Sequence, residues 1–376
     1  MAETVPMEAI HPGDGLERCL GKIPVQNLWY LILYAWELAE FKDKYRFAAE
    51  EAPSLKALFV KLFIQISHDL IRQGIHRSYI PVKASIQGIK GRVLFSESIK
   101  QNAFQQQRVV CQYTHFDENN LLNQTIKATL QALILWLRRQ DSTQNRKHIQ
   151  ALIPLQPYFR NVDNIQLYPS LFQRTVVHRN NRAYQLLIQL CRMIYQATMP
   201  TEDMGADAFL KVMSEQLTGH NLYERFLKQF YTLNMHSHTV RSEQLDWPAD
   251  PMSDFMPNMR TDITLHPKNS ETGRIVIDAK WYEHTLVSYH RGDKERFHAG
   301  HLYQLYAYLR TQEDKGGVYQ NSKGILLYPT VTQNVCEDFV VQGHPVKIAT
   351  INLSRPWQEI EVSLLTIVNL WLPNNW

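Results

Sequence analysis

The feature that most constrains this chain is a short apolar run that ends in charged side chains. Residues 275–280 read IVIDAK, and an Ile-Val-Ile run is typical of a strand in the middle of a sheet. Side chains alternate between the two faces of a strand, so Asp278 and Lys280 are predicted to lie on the same face. A preceding strand over residues 260–266 carries Asp262. A hairpin of these two strands would place Asp262 across from Asp278 and Lys280.

The two aspartates of this predicted hairpin form a candidate metal site. Two neighbouring carboxylates repel each other unless a cation lies between them. Hard oxygen ligands favour Mg²⁺ or Mn²⁺, and such an ion can activate water and neutralise charge on a phosphodiester. Lys280 can orient that water, help to deprotonate it and stabilise the transition state. The alternative is a cross-strand ion pair on a solvated face, but charges that end a buried strand need a reason.

The length and the order of elements predict two domains. The chain has 376 residues, of which 44% are hydrophobic and 20% charged, and its net charge of +4 permits a nucleic-acid partner without requiring one. Residues 1–21 contain several prolines and glycines and are predicted to be a flexible lead-in. A polar break near residue 201 separates a domain over residues 22–201 from a domain over residues 202–376. Strands and helices alternate in the second domain, which predicts an α/β fold.

The first domain is predicted to be an α+β module. Apolar residues at helical spacing predict a helix from Val25 onwards and several later helices. Alternating apolar residues over residues 79–98, with two glycines between them, predict a β-hairpin. Its tip carries Lys90 and Arg92, so it is basic.

The chain is predicted to be cytoplasmic. Acidic residues interrupt any apolar run near the start, so no signal peptide is expected. The most hydrophobic stretch, residues 28–39, is too short to cross a bilayer. The four cysteines lie far apart and have no zinc-ligand spacing, which is typical of free thiols in a reducing compartment.

The order of charged and polar residues resembles the PD-(D/E)xK nuclease superfamily. Its members hold a metal with an acidic residue and a downstream (D/E)xK, here Asp262 followed by Asp278 and Lys280. The resemblance implies an α/β domain with a mixed central sheet flanked by helices. It implies catalytic roles for these three residues and for Gln304, with Asp262, Asp278 and Glu224 as metal ligands. Glu224 could instead be an exposed helix carboxylate, and Gln304 an ordinary polar residue of an amphipathic helix.

Four segments of the chain also resemble the McrC family. They are residues 23–36 (IPVQNLWYLILYAW), 88–95 (GIKGRVLF), 116–123 (FDENNLLN) and 257–262 (PNMRTD). The resemblance implies a nuclease subunit that uses Mg²⁺ or Mn²⁺, binds a hexameric AAA+ GTPase and cleaves double-stranded DNA containing methylcytosine. No P-loop motif is present, so GTP hydrolysis would belong to the partner. Lys90 and Arg92 would contact that partner, although an ordinary exposed hairpin remains the alternative.

Two other functions stay open at this point. One is a stand-alone repair or processing nuclease of the same superfamily, and the other is a non-catalytic activator of an NTPase. The presence of Asp262, Asp278 and Lys280 favours an enzyme, and the N-terminal resemblance favours a partnered one. Histidines around the IVIDAK segment, among them His298 and His301, could belong to a phosphate-contacting loop or to a solvated one.

Overall fold

The computed structural model describes residues 22–139, 142–175, 177, 181–198, 219–250, 253–269, 273–281, 286–287, 296–331 and 334–370. These residues form two compact units. One contains residues 56–198, and the other contains residues 22–55 together with residues 219–370. The predicted lead-in and the predicted boundary near residue 201 lie outside the described residues.

The α-helices and β-strands of both units are numbered here in chain order. The helices are α1 (Val25–Ala35), α2 (Arg46–Glu50), α3 (Leu55–Gln73), α4 (Phe95–Lys100), α5 (Leu121–Arg139), α6 (Thr143–Leu152), α7 (Pro169–Arg174), α8 (Arg182–Thr198), α9 (Gly219–Asn234), α10 (Ala299–Arg310) and α11 (Trp357–Asn369). The strands are β1 (Ser78–Ile86), β2 (Arg92–Val93), β3 (Val109–Asp117), β4 (His238–Arg241), β5 (Gln244–Leu245), β6 (Met259–Arg260), β7 (Ile263–Pro267), β8 (Ile275–Ala279), β9 (Leu286–Val287), β10 (Arg296–Phe297), β11 (Lys323–Thr330), β12 (Cys336–Val341) and β13 (His344–Asn352). Short 3-10 turns connect several of them.

Helix α1 belongs to the unit formed by the C-terminal half, which corrects the predicted assignment of residues 22–55 to the first domain. Nine residues of α1 are buried, so the helix is covered on every side. Asn27 donates from Nδ2 to the backbone oxygens of Leu353 and Arg355, both at 2.8 Å. The Tyr34 ring lies 5.6 Å from that of Phe226 on α9. Helical periodicity in the sequence identifies α1, but it cannot say which distant segment covers it.

The smaller unit contains a three-stranded sheet that differs from the predicted hairpin. Strand β3 lies between β1 and β2, so β1 pairs with β3 and the two predicted hairpin strands are not neighbours. Phe95, predicted to lie in the returning strand, begins helix α4 instead. The two-residue β2 pairs with β3 at two positions, whereas the nine-residue β3 matches β1 over its whole length. Helices α5 and α8 pack against each other beside this sheet.

The larger unit has a mixed sheet of six strands in the order β12-β13-β11-β8-β7-β4. Strand β11 runs parallel to both β8 and β13, and the other neighbours are antiparallel. Helix α10 packs against β8 and β11, and α9 packs against β4, β7 and β8. The prediction of a mixed central sheet with flanking helices is therefore confirmed. Strand β8 lies in the interior of this sheet.

The described helices are either too short or too polar to cross a membrane. Cys111, Cys191 and Cys336 are free thiols, as the cysteine spacing predicted.

Candidate active site

Asp278 and Lys280 lie at the end of the interior strand β8. All five residues of β8 are buried, because strands β7 and β11 flank it and helices α9 and α10 pack against it. Asp278 is 0% exposed and Lys280 is 8% exposed. The backbone N–H of Lys280 donates to the oxygen of Leu327 on β11 at 3.0 Å, which continues the sheet pairing by one residue. The alternative of a solvated ion pair is therefore wrong.

The predicted strand over residues 260–266 contained Asp262. The observed strand β7 begins at Ile263, so Asp262 lies one residue before it. Strands β7 and β8 are antiparallel with Ile263 opposite Ile277, and this register places Asp262 opposite Asp278. Oδ2 of Asp262 accepts a hydrogen bond from the backbone N–H of Ala279 at 2.8 Å. This bond holds the Asp262 carboxylate against the end of β8. The predicted meeting of Asp262 and Asp278 is present in the fold.

Burial controls the ionisation of Asp278. Desolvation raises its pKa to about 7, the charge of Lys280 opposes this rise and the nearby Asp262 carboxylate adds to it. Lys280 Nζ lies 2.7 Å from Asp278 Oδ2, but its direction is poor for a hydrogen bond. Both Asp278 oxygens thus have no hydrogen-bond partner among the described residues. Lys280 supplies one positive charge beside Asp278, whereas Asp262 and Asp278 together carry two carboxylates, which are suitable ligands for a hard divalent ion.

Gln304 and Tyr308 on α10 hold Lys280 from its other side. Lys280 Nζ donates to Gln304 Oε1 at 2.7 Å, and Gln304 Nε2 donates to the Tyr308 hydroxyl at 2.7 Å. Burial raises the pKa of Tyr308, so its hydroxyl keeps its proton and accepts from Gln304. The side chain of Gln304 is therefore fixed at both ends, and its predicted place beside Lys280 is observed.

Glu224 lies on α9 and lines the same cleft as Asp262. This cleft has a volume of about 430 Å³. Its lining residues are Asn221, Leu222, Glu224, Arg225, Arg260, Thr261 and Asp262. Among the residues that the structure describes, no group of three or more His, Cys, Asp or Glu side chains is arranged to hold a metal ion. The fold thus brings Glu224 near Asp262 without completing a three-carboxylate cluster.

The two predicted partner-binding residues lie in the smaller unit. Lys90 precedes β2, and its Nζ lies 4.4 Å from the centre of the Tyr113 ring. Arg92 is exposed in β2, opposite Gln112 of β3. The two cations are therefore part of the edge of a three-stranded sheet rather than the tip of a two-stranded hairpin.

A buried ion pair that sequence reasoning missed anchors the segment before Asp262. Arg274 is 0% exposed and donates to Glu243 Oε2 from Nη2 at 2.6 Å. The backbone oxygen of Glu243 accepts from the Thr261 N–H at 2.9 Å, and the Glu243 N–H donates to Thr261 Oγ1 at 2.8 Å. Ser242 Oγ donates to the backbone oxygen of Asp262 at 2.7 Å. A single arginine before a strand gives no sequence signal for such an arrangement.

His301 is a second group near the site that the sequence could not place. It lies on α10, one turn before Gln304, and its Nδ1 is 2.8 Å from the Tyr328 hydroxyl. Burial and, to a smaller extent, the charges of Lys280 and His298 lower the pKa of His301 to about 3. His301 is thus neutral at physiological pH, and it lies inside the fold instead of on the solvated loop considered above. The other histidines of that loop, His284 and His290, lie outside the described residues.

A comparison of the sequence with protein families decides the relationship of the chain. The family model for the McrBC 5-methylcytosine restriction system component matches residues 21–329. This chain belongs to that family. The match covers all the candidate site residues, from Lys90 to Gln304.

Two known proteins are similar to this chain, one in sequence and one in fold. The type IV methyl-directed restriction enzyme EcoKMcrBC of Escherichia coli strain K12 is 28% identical over 354 residues, which are 93% of this chain and 98% of that protein. A solved half-complex from a tetradecameric assembly of Thermococcus gammatolerans McrB AAA+ hexamers with bound McrC matches with a TM-score of 0.56. That match covers 93% of this chain and 76% of the other, at 19% identity. At this identity the likeness shows a shared fold.

Proposed function

We propose that this McrBC-family chain is the nuclease subunit of a restriction system and cleaves DNA with a PD-(D/E)xK-type site. One observation carries the proposal: Asp278 is fully buried at the end of β8, lies opposite Asp262 and is ion-paired with Lys280 at 2.7 Å, so two carboxylates and an ammonium form one charged group. Such a group costs stability unless it serves a purpose. The membership of a restriction family makes phosphodiester cleavage the chemistry that fits best. The same observation disfavours a non-catalytic activator, which would have no use for the arrangement.

The metal of the proposed site is Mg²⁺ or Mn²⁺, held by Asp262 and Asp278, with Glu224 at the side of the cleft. The donor set fits, because it consists of hard carboxylate oxygens and at least one buried oxygen lacks any other partner. When bound, the ion supplies polarisation of the phosphodiester and lowers the pKa of an attacking water. The hydrogen bond from Ala279 N–H fixes the direction of the Asp262 carboxylate before any ion binds.

The remaining chemistry belongs to Lys280. Its ammonium group lies just past the end of the buried strand β8, 2.7 Å from Asp278 Oδ2 and 2.7 Å from Gln304 Oε1. From there it can orient the attacking water and stabilise charge on the phosphate oxygens. Gln304 is a positioning residue, since it holds Lys280 and is itself held by Tyr308.

The proposed partner is a hexameric AAA+ GTPase, and the proposed substrate is double-stranded DNA that contains methylcytosine. The solved relative is an assembly of McrB AAA+ hexamers with bound McrC, and the family is described by 5-methylcytosine restriction. In our proposal Lys90 and Arg92, on the sheet of the smaller unit, contact acidic residues of that partner. The larger unit then carries the nuclease chemistry.

A metal panel tests the proposed nuclease activity. The 376-residue chain is combined with an McrB-type AAA+ GTPase, GTP and a methylated duplex, and cleavage is followed on a gel. Mg²⁺ or Mn²⁺ should support cleavage, and Ca²⁺ should support DNA binding with little cleavage because its looser geometry positions water poorly. Full cleavage in excess EDTA would contradict the mechanism, and equal cleavage without the GTPase would favour the stand-alone nuclease.

A pair of double variants tests the proposed partner contact. Lys90→Ala with Arg92→Ala should reduce stimulation of the partner's GTP hydrolysis, while Lys147→Ala with Arg139→Ala, which removes the same charge elsewhere in the smaller unit, should not. Unchanged stimulation by the first variant would contradict a contact of Lys90 and Arg92 with the partner. It would not bear on the proposed nuclease site.

A further inference from the structure

The cleft beside Asp262 contains two arginines that the proposed mechanism does not use. Arg225 lies on α9 and Arg260 on β6, and both line the cleft of about 430 Å³. Both side chains are exposed, and neither forms an ion pair or hydrogen bond with another residue in the part of the chain described here. Elsewhere in the chain, exposed arginines such as Arg46 and Arg310 pair with a glutamate one helical turn away. The cleft thus contains two guanidinium groups that are available to a ligand.

Both arginines lie on firmly held elements. Arg260 is paired with Gln244 in the β5–β6 ladder, two residues before Asp262. Arg225 follows Glu224 on α9, whose neighbouring residues Leu222 and Phe226 are buried. Both arginines thus line, from fixed backbone positions, a cleft that Asp262 also lines. Binding an anion there requires ordering of the two side chains but no movement of the backbone.

We propose that Arg225 and Arg260 form a subsite for a DNA phosphodiester next to the one that is cleaved. The inference rests on the proposed nuclease function and assigns these two residues to substrate binding. A guanidinium group offers parallel N–H donors that match the oxygens of a phosphate. The position of the cleft fits this role, because Asp262 lines it and a phosphate held at Asp262 would lie beside the cleft.

The charges of the cleft add a condition to this binding. Glu224 and Asp262 line the cleft together with the two arginines, and the carboxylate of Asp262 opposes the binding of an anion there. A divalent ion at the aspartates would remove this opposition. The subsite should therefore bind DNA more tightly when a divalent ion is present, and this dependence is measurable without cleavage.

The test measures DNA binding by the full-length chain in Ca²⁺, with a short labelled duplex and a series of salt concentrations. The variants are Arg225→Gln, Arg260→Gln and the double variant, and the control is Arg355→Gln, an exposed arginine of the same unit outside the cleft. Each single variant should weaken binding about 5- to 20-fold. The slope of log affinity against log salt concentration, here called the salt slope, should fall by about 1 in each single variant and by about 2 in the double variant. The control should match the wild-type chain.

A second measurement locates the phosphate. A scan with single methylphosphonates, which remove the charge of one phosphate at a time, should weaken binding by the wild-type chain at one position near the cleaved bond. A methylphosphonate at that position should not weaken binding by the double variant, because the two arginine charges that would contact the phosphate are already absent.

The inference fails if the double variant binds DNA with the wild-type affinity and salt slope, or if the wild-type chain shows no salt-dependent binding. It also fails if the double variant loses affinity for a polyglutamate peptide but not for DNA, since the cleft would then serve an acidic protein. The proposed function is judged separately by cleavage, which Asp278→Asn should lose. Normal cleavage by Asp278→Asn would contradict the nuclease assignment whatever the arginine variants do.

Discussion

The ammonium group of Lys280 donates a hydrogen bond to the amide oxygen of Gln304 at 2.7 Å, which connects the end of strand β8 to helix α10. Gln304 is in turn bound by Tyr308, so the ammonium group has a fixed position on the side away from Asp278. Lys280 therefore does not rely on Asp278 alone for its orientation. If a metal ion occupies the aspartates, Lys280 can remain in place beside it.

Gln304→Ala should lower the cleavage rate without changing metal affinity. The substitution removes the acceptor that orients Lys280 but no proposed metal ligand, and the loss of such a supporting group typically costs about 10- to 100-fold. Single-turnover cleavage and Mn²⁺ titration of the same preparation measure the two effects. Gln320→Ala, at an exposed position outside the site, is the control. An unchanged rate would mean that Lys280 needs no such support.

Metal affinity should depend on pH through Asp278. The raised pKa, about 7, means that Asp278 is largely protonated below that pH and ionised above it. An ion that binds below pH 7 must displace a proton, so Mn²⁺ affinity should fall about tenfold for each pH unit below about 7 and level off above it. Asp278→Asn should bind Mn²⁺ weakly at every pH. A wild-type affinity that stays constant between about pH 5.5 and 7 would contradict the assignment of Asp278 as a ligand.

Arg274→Met should destabilise the larger unit strongly. The change leaves Glu243 buried without its main partner, and breaking a buried ion pair in this way costs about 3–5 kcal/mol. Arg241 contacts the same glutamate from the surface, so Arg241→Met should cost less than about 1 kcal/mol. Urea unfolding of both variants gives the comparison. Equal destabilisation would show that burial does not distinguish the two ion pairs.

Gly91→Ala should destabilise the smaller unit more than Gly88→Ala. Both glycines have a positive φ, 69° and 85°, where a side chain is strained by about 1 kcal/mol. At Gly91 an added Cβ would also lie 2.5 Å from the backbone oxygen of Gln112, whereas nothing lies within 4 Å at Gly88. Urea unfolding measures the difference. Equal costs at the two positions would contradict the close approach of the segment before β2 to β3.

The local parts of the site could be predicted from sequence, and the parts made by distant contacts could not. The common face of Asp278 and Lys280 was predicted because a period of two along a strand is a local property, and Asp262 was predicted across from them by a hairpin. Gln304 was assigned only through the resemblance to a nuclease superfamily. The buried pair of Arg274 and Glu243 escaped prediction, since 31 residues separate its members.

The pairing of the strands and the division into units also depend on contacts between distant segments, which local sequence patterns do not reveal. Adjacent strands with glycines between them predicted a hairpin, but the pairing of β1 with β3 depends on a strand that comes later in the chain. Helix α1 was identified correctly and assigned to the wrong part of the molecule, because its apolar surface does not identify its partner. An N-terminal fragment that ends near residue 200 would therefore expose α1, and experiments on function require the full chain.

The most direct test of the account is cleavage of methylated DNA by Asp278→Asn, compared with the exposed control Asp314→Asn, each assembled with the AAA+ partner, GTP and Mg²⁺. The substitution keeps the size of the side chain and removes the negative charge that would bind the metal. A folded Asp278→Asn chain should lose at least about 1,000-fold in rate, since the metal contributes several kcal/mol to the transition state, while Asp314→Asn should cleave normally. Cleavage by Asp278→Asn at the rate of the control would contradict the nuclease site proposed here.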